Sequence, residues 1–181
     1  MLLMIELTTT EITALWDDMR AQATRECAHE PLLEQYLQSS VLEHTTLADA
    51  LANRLSDELT CDILDTVILN EILRDFGRDI SLITAAATDI QATFERDSAC
   101  ETRLSVFLFY KGFIALQAYR VANRLWSEGR HSLALLLQSQ ISLRFGIDIH
   151  PAAKIGRGIM LDHGFGLGIG ETAVIEDAVS I

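Results

Sequence analysis

Two rhythms of apolar residues divide the chain. Up to about residue 145 they recur every three or four positions, the period of a helix with one buried face. Thr8 and Glu11 have the spacing of a capping box, in which the hydroxyl accepts from an early N–H and the carboxylate reaches back. Ile12, Leu15, Trp16 and Met19 follow as one face. Pro31 suits a first helical turn and leads into Leu32, Leu33, Tyr36 and Leu37. Further stripes are Leu47, Leu51 and Leu55; Leu64, Val67, Ile68 and Ile72, with Gly77 as the stop; and Ile83, Ala86, Ala87 and Ile90. A long helix is expected from about Tyr110 to Glu128, ended by Gly129, and another from His131 to Phe145, ended by Gly146. The run Leu133–Leu137 is apolar nearly all round, which predicts a buried helix or a subunit contact.

The second rhythm has a period of six. Leu143, Ile149, Ile155, Leu161 and Leu167 stand six apart, and Ile175 and Ile181 resume the phase after a slip of two, expected as a bulge near Gly168–Thr172. Small, polar and glycine residues fill much of the space between. One aliphatic per hexapeptide is the signature of a parallel β-helix, each hexapeptide supplying a short strand and a corner. Glycine usage changes at the same point. Residues 1–145 hold Gly77, Gly112 and Gly129, whereas residues 146–181 hold seven glycines. The expected organisation is therefore a helical unit over 1–145 and the first coils of a β-helix over 146–181. Coils left open expose apolar interior and unpaired strand edges. The chain is accordingly expected to be part of a longer protein whose continuation adds hexapeptides.

Composition narrows the function classes. The 181 residues carry 14 Lys and Arg against 26 Asp and Glu, a net charge of −12. That balance argues against nucleic acid or an anionic membrane as partner. No apolar run reaches the roughly 18 residues of a membrane-spanning helix. The opening Met1–Glu6 lacks the basic and apolar regions of a signal peptide. Cys27, Cys61 and Cys100 are odd in number and form no CxxC, which fits a reducing compartment and neither a disulfide framework nor zinc.

Candidate chemistry gathers in the second segment. His29 and His44 lie in polar stretches and His131 at a helix start, whereas His150 and His163 lie among the hexapeptides. Asp148 and His163, 15 residues apart, are expected on adjacent coils near one corner. A carboxylate beside an imidazole fixes its tautomer and stabilises the imidazolium, which makes a general base for a hydroxyl nucleophile. On spacing alone, solvated corners explain the same two residues better, because Asp and His are ordinary turn residues. Zinc held by His150 and His163 lacks a third histidine. The glycines from Gly164 to Gly170 have no following helix or Gly-Lys-Ser/Thr to bind phosphate.

The stretch Asp148-Ile149-His150-Pro151-Ala152-Ala153-Lys154-Ile155-Gly156-Arg157-Gly158-Ile159-Met160-Leu161-Asp162-His163 closely resembles the serine O-acetyltransferase signature. So do Gly170-Glu171-Thr172-Ala173-Val174-Ile175-Glu176, Lys111–Arg120, and Asp89-Ile90-Gln91-Ala92 followed by Arg96-Asp97. The likeness covers nearly the whole chain. It implies an α+β protein: an all-α N-terminal domain, then a left-handed parallel β-helix. It implies acetyl transfer from acetyl-CoA, a co-substrate and not a bound cofactor, to the hydroxyl of L-serine in cysteine biosynthesis, in the cytoplasm and without metal.

In the family, the histidine matching His163 is the general base, and the aspartate matching Asp148 orients it. Those matching Asp97 and Asp162 hold the serine amino group. The residues that bind CoA and grip the serine carboxylate are expected beyond Ile181. Relatives assemble as trimer-based hexamers, and a C-terminal tail of the full-length enzyme docks into O-acetylserine sulfhydrylase. Inhibition by L-cysteine at the serine site is a further implication. Gly164-Phe165 stands where the family has Ala-Thr, and Ser98 where it commonly has Pro. The alternatives to this activity are a non-catalytic assembly module and a hexapeptide acyltransferase with another acceptor.

Overall fold

A computed structural model describes residues 7–181. The leader reading at Met1–Glu6 lies outside the described residues. Among the described residues eight α-helices come first: α1 (Thr9–His29), α2 (Glu34–Leu37), α3 (Leu47–Leu59), α4 (Thr66–Arg78), α5 (Ile80–Arg96), α6 (Arg103–Phe109), α7 (Lys111–Ser127) and α8 (His131–Phe145). Four short strands follow: β1 (Ile147–Ile149), β2 (Lys154–Ile155), β3 (Leu167–Ile169) and β4 (Val174–Ile175).

The helix ends obey local chemistry. Thr8 accepts from the Glu11 N–H, and Glu11 accepts from the Thr8 N–H at 2.8 Å, so both arms of the capping box form. Ile12, Leu15, Trp16 and Met19 are buried behind it. Asp65, Asp79 and Thr102 cap α4, α5 and α6 with one arm, each side chain accepting from an early backbone N–H. The α8 helix stops where Gly146 turns left-handed at φ 68°, a conformation costly to any residue with a Cβ.

Three expectations shift. Leu64 is buried ahead of α4, but Val67 and Ile68 are exposed; the buried face is Leu69, Ile72, Leu73 and Phe76. Asp65 caps this helix, so Leu64 lies before its first turn and is not part of its buried face. Gly77 lies inside α4, which runs on to Arg78 and a cap at Asp79. Around Pro31, a 3₁₀ turn replaces the first α turn and leaves Leu32 91% exposed. On α8, Ala134, Leu137, Ile141 and Phe145 are buried, whereas Leu135 and Leu143 are exposed. Leu143 is thus a surface residue of a helix and not the first hexapeptide aliphatic.

The strand region pairs in parallel along three lines: β1 with β3, β2 with β4, and a single bridge from Met160 to Ser180. In each, the partners stand 20 residues apart (147 with 167, 154 with 174, 160 with 180). Ile149 pairs with Ile169 and Ile155 with Ile175. Ile169 therefore takes the place the hexapeptide count gave to Leu167. The two extra residues fall between Leu161 and Ile169, earlier than the expected slip near Gly168–Thr172. The loop that absorbs them carries His163.

The helices grip the first turn of the strand region through its carbonyls. Tyr119 Oη donates to Ala153 O at 2.5 Å, Asn123 Nδ2 to Pro151 O at 2.7 Å, and Arg96 Nη1 to Gly158 O at 2.9 Å. Asp89 and Arg120 form a buried ion pair at 2.7 Å beside it. Gly112 on α7 lies so close to Leu161 that a Cβ there would run into the Leu161 backbone carbonyl. Among the described residues, no helix is long and apolar enough to cross a membrane.

Candidate active site

A cavity of about 480 Å³ opens where the end of α5, the start of α7 and the His163 loop meet. Asp97, Ala99, Phe109, Tyr110, Lys111, Gly112, Leu161, Asp162 and His163 line it. Its size is that of a small-molecule site.

Asp97 caps the C-terminus of α5, just past Arg96. Its Oδ1 accepts from the Ala99 N–H at 2.9 Å and its Oδ2 from the Tyr110 hydroxyl at 2.8 Å. These two donors hold the Asp97 carboxyl below its ordinary value, the backbone N–H contributing most, with nearby His163 adding to the effect. The Tyr110 phenol is pushed the other way, by burial first and by its bond to Asp97 second. It remains a donor throughout the neutral range. The Asp97 carboxylate is thus ionised and fixed in plane, with acceptor capacity left on each oxygen.

The opposite wall belongs to the loop. Asp162 is anchored through its backbone N–H, which donates to Ile181 O at 2.8 Å. His163 has φ 53°, an uncommon left-handed conformation for a side-chain-bearing residue that histidine tolerates better than most. Its imidazole is 91% exposed, and Nε2 lies 3.7 Å from Asp162 Oδ1. The loop's departures from the family pattern have local contacts. Phe165 packs its ring against Gly146, and Lys111 Nζ sits 4.7 Å above that ring. Ser98 is exposed in the turn after Asp97.

Three of the four sequence-derived site residues, Asp97, Asp162 and His163, therefore meet at one cavity. Asp148 is not among the residues that line it. It lies on β1 opposite Gly168, and its Oδ1 accepts from Gln138 Nε2 at 2.7 Å. The carboxylate beside His163 in this chain is that of Asp162. His150 is engaged by Trp126, edge-on at 5.1 Å, and by the Ala152 N–H. His131 stacks on the same indole at 4.1 Å. Among the described residues, no three His, Cys, Asp or Glu side chains group as metal ligands.

Sequence reasoning passed over Tyr110 and Lys111. The signal was the pairing of elements: α6 is short, so the chain leaving Asp97 returns after 13 residues at the head of α7, beside its starting point.

A family profile described as serine acetyltransferase, N-terminal, matches residues 15–118. The chain belongs to the serine acetyltransferase family. It is 44% identical over 172 residues to the serine acetyltransferase of Escherichia coli strain K12, covering 94% of this chain and 63% of that protein. It thus spans just under two thirds of that relative's length. A soybean serine acetyltransferase complexed with serine superposes with a TM-score of 0.91 at 43% identity, covering 96% of this chain and 72% of the other. A serine acetyltransferase in complex with CoA gives 0.91 at 44% identity, covering 94% and 72%. The family-specific matches extend through the helices, so the likeness does not rest on the glycine-rich strands alone.

Proposed function

We propose that this chain carries the serine-handling part of a serine O-acetyltransferase, which moves acetyl from acetyl-CoA to the L-serine hydroxyl in cysteine biosynthesis. The observation that carries the reading is the convergence of Asp97, Asp162 and His163 on one cavity. The substrate is a zwitterion with an ammonium next to a hydroxyl-bearing carbon. Two carboxylates suit the ammonium, and an imidazole within reach suits the hydroxyl. The similar serine acetyltransferases complexed with serine and with CoA support the same substrates.

In this reading His163 removes the hydroxyl proton as the serine Oγ attacks the thioester carbon. The tetrahedral intermediate collapses with cleavage of the C–S bond, and the imidazolium returns its proton to the CoA thiolate. Base and proximity suffice, because a thioester is an activated acyl donor. Acetyl-CoA is a co-substrate, and its contacts are assigned to residues after Ile181. Asp148 orients His163 by family resemblance, which requires the exposed imidazole to turn away from Asp162.

The same reading extends to organisation. Residues 1–145 form the helical domain, and 146–181 begin a left-handed parallel β-helix of hexapeptides, which the parallel pairing along three lines supports. The protein works in the cytoplasm as a trimer-based homo-oligomer, a hexamer by resemblance, and its full-length form binds O-acetylserine sulfhydrylase.

Release of CoA thiol from acetyl-CoA in the presence of L-serine tests the activity in the full-length protein. Asp97→Asn and Asp162→Asn are each expected to raise the serine KM about tenfold or more, the effect of losing a charge-assisted bond, while leaving the acetyl-CoA KM near its original value. Serine-independent thiol release, or an acceptor without an amino group used equally well, contradicts the reading.

A further inference from the structure

Helix α5 carries two aspartates in opposite surroundings. Asp97 ends the helix and lines the cavity, whereas Asp89 is fully buried. Their separation of eight positions corresponds to about 12 Å of rigid helix. The Asp89 carboxylate is bonded on both oxygens. Oδ2 accepts from Arg120 Nη2 at 2.7 Å and Gln117 Nε2 at 2.9 Å, both on α7. Oδ1 accepts from the Ile159 N–H at 2.9 Å. Arg120 Nη2 also donates to Gly156 O at 2.8 Å.

Ile159 is three residues before Asp162 and four before His163. Asp89 therefore ties the segment leading into the His163 loop to the same helix that presents Asp97. A buried ion pair contributes little net stability, since the desolvation of both charges offsets their attraction. What it supplies here is direction: the carboxylate is held by α7 and aimed at one backbone N–H.

We propose that Asp89, held by Arg120, is a positioning residue that sets the separation of Asp97 from Asp162 and His163 across the cavity. The inference rests on the serine-acetylating reading above. Asp89 and Arg120 do not line the cavity, so they act through the backbone of residues 156–162. A displacement of about 1 Å at that wall is enough to cost up to 10²-fold in turnover.

Removing one partner strands a buried charge and threatens folding, so the test uses two uncharged pairs in the full-length protein. Asp89→Asn with Arg120→Met keeps an acceptor for the Ile159 N–H. Asp89→Leu with Arg120→Met removes it. The Asn pair is expected to keep the serine KM within about threefold of wild type. The Leu pair is expected to raise it about tenfold or more at unchanged acetyl-CoA KM, with faster amide exchange at Ile159.

Equal serine KM values in the two pairs, or parallel rises in both substrates' KM, overturn the proposal. Should the Leu pair not fold, the Asn pair decides alone: a serine KM within about threefold supports the tether, and a rise of about tenfold overturns it. A wild-type protein that fails to acetylate serine counts against the functional reading instead. Amide exchange at Ile159 then still tells whether the tether holds that segment.

Discussion

Tyr110 donates its hydroxyl to Asp97 Oδ2 at 2.8 Å, joining the head of α7 to the end of α5 at the floor of the cavity. The bond favours the ionised carboxylate and, with the Ala99 N–H, keeps Asp97 charged to lower pH than an ordinary aspartate. Tyr110→Phe removes one of these two donors. The Asp97 titration midpoint, followed by carboxyl-carbon NMR, is expected to move up toward the ordinary value. The serine KM is expected to rise by about two- to tenfold, with acetyl-CoA KM unchanged. A midpoint that stays put shows that Ala99 alone sets the acidity of Asp97.

Tyr119 supports the other side of the junction. Its hydroxyl donates to Ala153 O at 2.5 Å, and burial pushes its phenol up to about 12. The sign follows from linkage. A group whose folded pKa exceeds its unfolded value of about 10 stabilises the fold fully below pH 10, and loses that contribution as pH rises through 12. Wild-type stability is thus expected to fall between pH 10 and 12 in denaturant melts. Tyr119→Phe is expected to lose this part of the slope and, near neutrality, to cost about 1 kcal/mol, because Asn123 Nδ2 still donates to the same carbonyl at 3.2 Å. An unchanged alkaline slope contradicts the assignment.

The helical part was legible where local chemistry decides. Thr8 with Glu11, and Gly146 after Phe145, mark helix ends through bonds and φ values that neighbouring residues alone determine. Leu64 misleads because an apolar residue can be buried before a helix as well as in it; here it precedes the Asp65 cap, and the buried face of α4 is Leu69, Ile72, Leu73 and Phe76. Leu143 matched the six-residue count by coincidence while belonging to α8.

The site was legible in composition and not in arrangement. His163, Asp162 and Asp97 were singled out by pattern and resemblance, and they share a cavity. Asp148 does not line that cavity, and its Oδ1 accepts from Gln138, a contact between α8 and β1 that the residue spacing does not show. Asp89 was noticed only as part of a motif. Its role as a junction depends on α7 and on the Ile159 N–H, contacts between elements far apart in sequence.

The most direct test of the central claim is the rate of L-serine-dependent thiol release by the full-length protein carrying His163→Ala. General-base catalysis accounts for a loss of about 10²–10⁴-fold in kcat, with the serine KM little changed because Asp97 and Asp162 remain. A variant that keeps its activity within a few-fold of wild type contradicts the assignment of His163 as the base.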